Sequence, residues 1–341
     1  MIVEQVNGTF DINNENIHNS PNKNGLLIGI GRGGNRALNH VYVYFKNKGF
    51  SFFAMDTDGS VLNDSVLPAW DLLHLNGKLS KHPILSSGVD FEIFEQTTIT
   101  LIKDRMMDSI GEVVYLMVCL GDVVTNRLAI EVAKISKELG KIVVAIVSFP
   151  KQEEGSNFSK LANKAFAELR QFIDSFFVFH NNFLQKSNSN KNENLSPLEL
   201  NTKHFRLPIE AIHNIINQKG EIIVDECDVK SVIKSGTFSA VGIGESKQSD
   251  RISDMFAQVL SSPYLKYLNR EKCKLIVMNI ESSELNKIRN DEIESLNTML
   301  RQHFGHKANI IVGMEKNNAL GEWAKLVCLF SFLEHEILSN L

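Results

Sequence analysis

Residues 26–35 read LLIGIGRGGN, an apolar run that passes through Gly29, Gly31, Gly33 and Gly34 and ends on Asn35. The apolar half predicts a short buried strand. The glycines predict a tight turn into a helix that begins near Asn35, carries Ala37, Leu38, Val41, Tyr44 and Phe45 on its apolar side, and stops at Gly49. A helix N-terminus presents bare backbone amides, so phosphate is the first ligand class this turn suggests. Gly29-x-Gly31-x-x-Gly34 also fits the dinucleotide fingerprint, with Asp56 closing the next strand, Phe52 to Asp56, about twenty residues on, where that motif has a ribose-binding acid. The same glycines fit a strand-to-helix turn that needs them for geometry alone.

At 341 residues and 43% hydrophobic, the chain can bury one large core or two moderate ones, and its length suggests two domains. The net charge of -4 and the lack of any Arg/Lys block argue against nucleic acid and anionic membrane as partners. Cys119, Cys227, Cys273 and Cys328 are scattered with no CxxC pair, the pattern of a reducing compartment without structural zinc, and no other metal-ligand spacing is present. The N-terminus has no basic-then-apolar signal, and the longest apolar run, Val113 to Leu120, is too short to span a bilayer. A cytoplasmic protein is expected.

Met1 to Asn24 is polar and asparagine-rich, which predicts a mobile tail over 1–24. Gly59 to Ser87 lacks a clear period and predicts loops with a short strand or turn, followed by a helix from about Asp90 to Ser109. Val113 to Leu120 and Ile142 to Val147 do not alternate and predict strands buried on both faces, with a helix from Gly121–Asp122 to Leu139 between them. Leu161 to Gln171 predicts a helix, Phe176 to Phe179 a strand, and QKSNSNKNEN at 185–194 an exposed loop. This strand–helix alternation predicts a Rossmann-like α/β domain with a parallel sheet over 25–196. A long helix, 197–220, kinked at Pro208 and stopped at Gly220, then leads to a smaller α+β domain over 221–341. That domain carries strands at Ala240–Ile243, Lys274–Ile280, Asn309–Val312 and Ala324–Leu333, and helices at Asp250–Leu260 and Asp291–His303.

The segments EIIVDECDVK, GTFSAVGIGES, SSPYL and ANIIVGMEKNNALGEWAKLVCL, in this order, resemble the bacterial tubulin homologue FtsZ. The resemblance extends back through LAIEVAKISKELGKIVVAIVSFP, FFAMDTD and the glycine turn, from about Leu26 to Leu333. It implies the tubulin/FtsZ fold, a first domain that binds guanine nucleotide (GTP or GDP), and head-to-tail stacking of subunits into filaments. Asp225 and Asp228 fall on the family's two aspartates that reach the neighbour's terminal phosphate, where positioned carboxylates would orient water. Read from the residues alone, Asp225 before a helix and Asp228 three residues on fit a capping arrangement.

The phosphate loops depart from the family. Its glycine- and threonine-rich loop is Gly121-Asp-Val-Val-Thr-Asn-Arg127 here; Val123 and Val124 stiffen the backbone, and Asp122 places a carboxylate where phosphate would approach. At an effective dielectric near 20, that like charge about 4 Å away costs on the order of 4 kcal/mol before screening, or roughly three orders of magnitude in affinity. The family arginine after the Pro-containing loop aligns with Phe158, the guanine-facing aromatic with Leu198, and the base-reading acid or amide with Thr202 or Lys203. Lysine cannot accept the base protons a carboxylate accepts. Arg32 can grip phosphate, Glu154 keeps the ribose acid, and Ser86, Ser87 and Gly88 keep small residues at a third phosphate loop. The candidate nucleotide-binding set is therefore Gly29, Gly31, Arg32, Gly33, Gly34, Asn35, Asp56, Ser87, Gly88, Gly121, Thr125 and Glu154, with Asp225 and Asp228 as catalytic candidates.

Three functions stay open at this point. The first is a divergent FtsZ-like division protein that binds GTP or GDP weakly, turns it over slowly or not at all, and assembles into or onto filaments. The second is a non-hydrolysing module that caps or regulates filaments of a true FtsZ. The third is an NAD-binding Rossmann protein, which accounts for the first strands and not for EIIVDECDVK. The chain ends at Leu341, shortly after its last strand, so the family's tail peptide and membrane contact of the chain's own are not expected.

Overall fold

The computed structural model describes residues 24–75, 96–109, 111–150, 155–180, 197–217, 220–235, 238–266 and 268–333. The polar tail before residue 24, the 185–194 loop, all of 76–95 with the candidates Ser86, Ser87 and Gly88, and the candidate Glu154 lie outside them.

The first half alternates strand and helix. It runs β1 (Gly25–Ile30), α1 (Gly31–Phe45), β2 (Phe50–Asp56), α2 (Gly59–Asn63), β3 (Leu72–His74), α3 (Gln96–Met107), β4 (Val113–Cys119), α4 (Val123–Glu138), β5 (Ile142–Phe149), α5 (Ser156–Leu169) and β6 (Ser175–His180). These six strands pair in parallel in the order β3-β2-β1-β4-β5-β6. β1 and β5 are buried along their whole length. Helices cover both faces, and only unbroken apolar runs such as IVVAIVSF can sit there.

The long helix α6 (Pro197–Ile216) continues through Pro208 and leads into β7 (Gly220–Ile222), α7 (Glu226–Ser235), β8 (Phe238–Ser246), α8 (Arg251–Leu260), β9 (Cys273–Ser282), α9 (Asn290–Phe304), β10 (Asn309–Lys316) and β11 (Ala324–Phe332). The sheet runs on as β8-β11-β9-β10-β7, mostly antiparallel with β9 and β10 parallel. A single residue pair, Phe176 with Phe238, joins the two halves across β6 and β8. Gly220, expected to stop the helix, opens the edge strand β7. A Cβ there would stand 1.8 Å from the Met314 carbonyl oxygen, so any side chain would block the pairing with β10. β7 and α7 are thus additions to the expected two helices and four strands.

Buried phenylalanines fill the seam between the halves: Phe166, Phe176 and Phe238 lie with ring centroids 4.7 to 6.0 Å apart. Phe179, Phe205 and Tyr264 form a second cluster under α6.

Candidate functional site

A cleft of about 430 Å³ opens at the C-terminal ends of β1, β2 and β4, where an α/β sheet places its ligands. Gly31, Arg32 and Gly33 line it from α1, Asp56, Thr57 and Asp58 from the end of β2, and Cys119, Gly121, Asp122 and Thr125 from the turn into α4.

Helix α1 starts at Gly31, four residues before the expected Asn35, so Gly31, Gly33 and Gly34 belong to its first turn rather than to a preceding loop. The reason is packing. Gly31 has φ +69°, and a Cβ at Gly34 would stand 2.2 Å from the Met117 carbonyl oxygen of β4. The glycines let α1 press against β4. Its N-cap, Ile30, is extended and offers no side-chain hydrogen bond, so the first-turn amides carry the positive end of the helix dipole into the cleft uncapped.

Asn35 is buried and donates through Nδ2 to the Met55 carbonyl at 2.9 Å and to Asp56 Oδ2 at 3.3 Å. Asp56 Oδ1 accepts the Asp58 amide at 3.0 Å, so the carboxylate read as a ribose contact is engaged within the chain. Asp58 caps α2 through Ser60 N at 3.0 Å and takes a 3.1 Å hydrogen bond from Arg32 Nη2. The Ser60 hydrogen bonds, followed by Arg32, hold the Asp58 carboxyl below its usual range. Sequence reasoning missed Asp58, although Asp-Gly-Ser before an apolar pair is an N-cap signal.

On the other wall, Asp122 is the N-cap of α4, and its Oδ2 accepts the Thr125 amide at 2.8 Å. The Gly121 amide donates to Asn126 Oδ1 at 3.1 Å. Thr125 packs its side chain against Gly31, where a Cβ would come within 2.4 Å of Oγ1. Phe158 and Pro150 both lie beside Gly121, the Phe158 Cδ1 3.6 Å and the Pro150 Cγ 3.7 Å from where a Gly121 Cβ would be.

Asp225 and Asp228 are far from this cleft. Asp225 is exposed and caps α7, its Oδ1 accepting the Cys227 amide at 3.1 Å, and Asp228 sits half-buried in the first turn. Lys230 of the same helix bonds Glu112 at 2.7 Å, immediately before β4, whereas Cys119 at the far end of β4 lines the cleft. A strand of this length spans about 20 Å, so the acidic loop and the cleft occupy opposite ends of the parallel sheet. Ile222 and Ile223, 48% and 64% exposed, flank the acids. Among the described residues no cluster of three or more His, Cys, Asp or Glu side chains is placed to hold a metal ion, and no helix is long and apolar enough to cross a membrane.

Known proteins carry the same plan. No protein-family model matches the chain. Cell division protein FtsZ of Buchnera aphidicola (strain APS) is 25% identical over 289 residues, covering 84% of this chain and 73% of that relative. FtsZ of Aquifex aeolicus is 24% identical over 290 residues, covering 84% of this chain and 77% of its own length. The chain is FtsZ-like: it is similar to these division proteins over most of its length. Among solved structures, an FtsZ mutant of M. jannaschii superposes on this FtsZ-like chain with a TM-score of 0.71 at 23% identity, covering 91% of each. A GTPγS-form protofilament of Bacillus thuringiensis TubZ gives 0.75 at 13% identity, covering 94% of this chain and 91% of that one. The likeness fixes the α/β tubulin/FtsZ fold of the FtsZ-like chain, with its cleft over β1, β2 and β4.

Proposed function

We propose that this chain is a cytoplasmic, cell-division-type cytoskeletal subunit that associates head to tail with itself or with another FtsZ-like subunit, and that its cleft binds guanine nucleotide weakly. The reading rests on the placement of the cleft and the Asp225–Asp228 loop at opposite ends of one parallel sheet. Two such faces on one chain make a heterologous contact, which propagates into a line of copies. In this arrangement residues 25–196 form the nucleotide-side domain, 197–220 the connecting helix, and 221–341 the domain that offers its acids to the neighbour.

Gly31, Arg32, Gly33 and Gly34 would receive phosphate through the uncapped α1 N-terminus. Asp225 and Asp228 would meet the neighbour's nucleotide, although Asp225 already serves as a cap. Turnover is slow or absent, because the α4 side of the cleft presents a carboxylate where a triphosphate needs donors. Sedimentation across a concentration series tests the association: pelleting or a growing sedimentation coefficient is expected, alone or with an authentic FtsZ. A monomer that stays inert with FtsZ would refute it.

A second reading, a filament cap, is favoured by the asymmetry between an accessible Asp225 and a cleft already engaged by its own carboxylates. Such a subunit docks at one filament end and gives the next subunit a poor surface. Substoichiometric addition to an authentic FtsZ would then shorten polymers, and unchanged polymer yield and length would refute capping.

A further inference from the structure

Two helix N-termini converge on the cleft, and they differ in what their amides hold. At α1 no side chain caps the turn. At α4 the Thr125 amide is held by Asp122 and the Gly121 amide by Asn126. Arg32, the one guanidinium lining the cleft among the described residues, is paired with Asp58. Three carboxylates, Asp56, Asp58 and Asp122, line the same cleft.

The residues on the α4 side therefore do not fit a triphosphate. An anion reaching α4 has to displace a carboxylate from an amide it already satisfies, and at the same time meets a like charge, which its exposure to water screens only in part. The Arg32–Asp58 pair is a weaker obstacle: its side chains are 63% and 45% exposed, so it exchanges readily for a phosphate partner.

We propose that Asp122 is an internal anion that stands in for ligand phosphate at the α4 N-terminus, so that the cleft discriminates against nucleoside triphosphates and accepts shorter phosphate tails at α1. The proposal rests on the reading of this cleft as a nucleotide site and names the residue that sets its specificity. It makes the altered loop a specificity device as well as a loss.

The test measures binding of GTP, GDP and inorganic tripolyphosphate to the full chain by calorimetry, in wild type, Asp122→Asn and Asp122→Gly. Asparagine keeps the cap acceptor and removes the charge; glycine removes both and frees the Thr125 amide. Wild type is expected to bind GDP more tightly than GTP. Tripolyphosphate affinity should rise about tenfold or more in Asp122→Gly, with Asp122→Asn between the two. Asp122→Ser, which retains a cap, serves if the glycine variant unfolds, and thermal melts report folding.

A wild type that prefers GTP, or an Asp122→Gly variant whose tripolyphosphate affinity stays at the wild-type value while GDP binds, overturns the proposal and leaves the nucleotide reading standing. Binding of none of the three probes by any folded variant overturns both. Head-to-tail association, read separately by sedimentation, is untouched by either result.

Discussion

The Tyr264 hydroxyl donates a 2.6 Å hydrogen bond to the carbonyl of His204, four residues before Pro208 in α6. In an uninterrupted helix that carbonyl accepts the amide of residue 208, which proline lacks. Tyr264 is 2% exposed and supplies the missing donor, which accounts for the long helix passing through a proline. Tyr264→Phe leaves a buried carbonyl without a partner and should lower unfolding free energy by about 1–3 kcal/mol. Pro208→Ala restores an amide at the right place, so Tyr264→Phe with Pro208→Ala should recover much of the loss. Urea denaturation of the four proteins in the double-mutant cycle measures the coupling, and additive effects would show that the hydroxyl acts by packing alone.

The same neighbourhood makes stability depend on pH. Burial, with Lys203 adding to it, pushes the His204 imidazole down to about 4. Burial and then Lys266 push His180 to about 4. An unfolded histidine titrates near 6.5, so below that pH the unfolded chain takes up protons that the folded chain refuses. The contribution of each buried neutral ring is complete above about pH 6.5 and is lost as pH falls toward about 4. For His204 the loss is on the order of 2 kcal/mol by pH 5. Urea midpoints should fall between pH 7 and pH 5, and His204→Gln should flatten the slope. An equal slope in that variant would remove His204 from the account.

Much of the fold is legible where one kind of interaction dominates. VVYLMVCL and IVVAIVSF do not alternate, and β4 and β5 lie between parallel neighbours with helices on both faces. The helix after Asp250 is likewise plain, its Ile252, Met255, Phe256 and Val259 making one buried stripe. Sequence reasoning falters where a contact made far along the chain decides the local choice. The glycines of 29–34 look like a ligand loop, yet the β4 carbonyl of Met117 dictates Gly34. β7 is three residues long and exists by pairing with β10. Asp122 carries a local signal that was available, an Asp immediately before an apolar-periodic helix, but reading it as a charge facing the ligand hid its role as a cap.

That account of the glycine turn makes a steric prediction. A methyl at position 34 would stand 2.2 Å from the Met117 carbonyl oxygen, which belongs to the middle of the sheet and cannot move aside. A methyl at position 33 would meet the Cys119 side chain, 2.3 Å from Sγ, which can rotate away, and 2.9 Å from Cβ, which needs only a small shift. Gly34→Ala should therefore cost about 1–3 kcal/mol or more, and Gly33→Ala less. Denaturation midpoints rank the two. Equal costs would mean that α1 shifts freely on β4 and that these glycines serve something other than packing.

Two cysteines report on the two ends proposed to meet. Cys227 is exposed in the first turn of α7 beside Asp225, and Cys119 lines the cleft at the end of β4. Cys273 and Cys328 are buried, and burial pushes the Cys273 thiol up to about 12, which keeps it a poor nucleophile. Maleimide labelling followed by intact-protein mass spectrometry thus reads both ends at once. In head-to-tail assemblies Cys227 and Cys119 should both label several-fold more slowly than in the monomer, because each end covers the other. Side-by-side association would protect neither. In a mixture with authentic FtsZ, protection of Cys227 with Cys119 still reactive is the signature of a subunit seated at one filament end, since only its acidic loop is then buried against a neighbour.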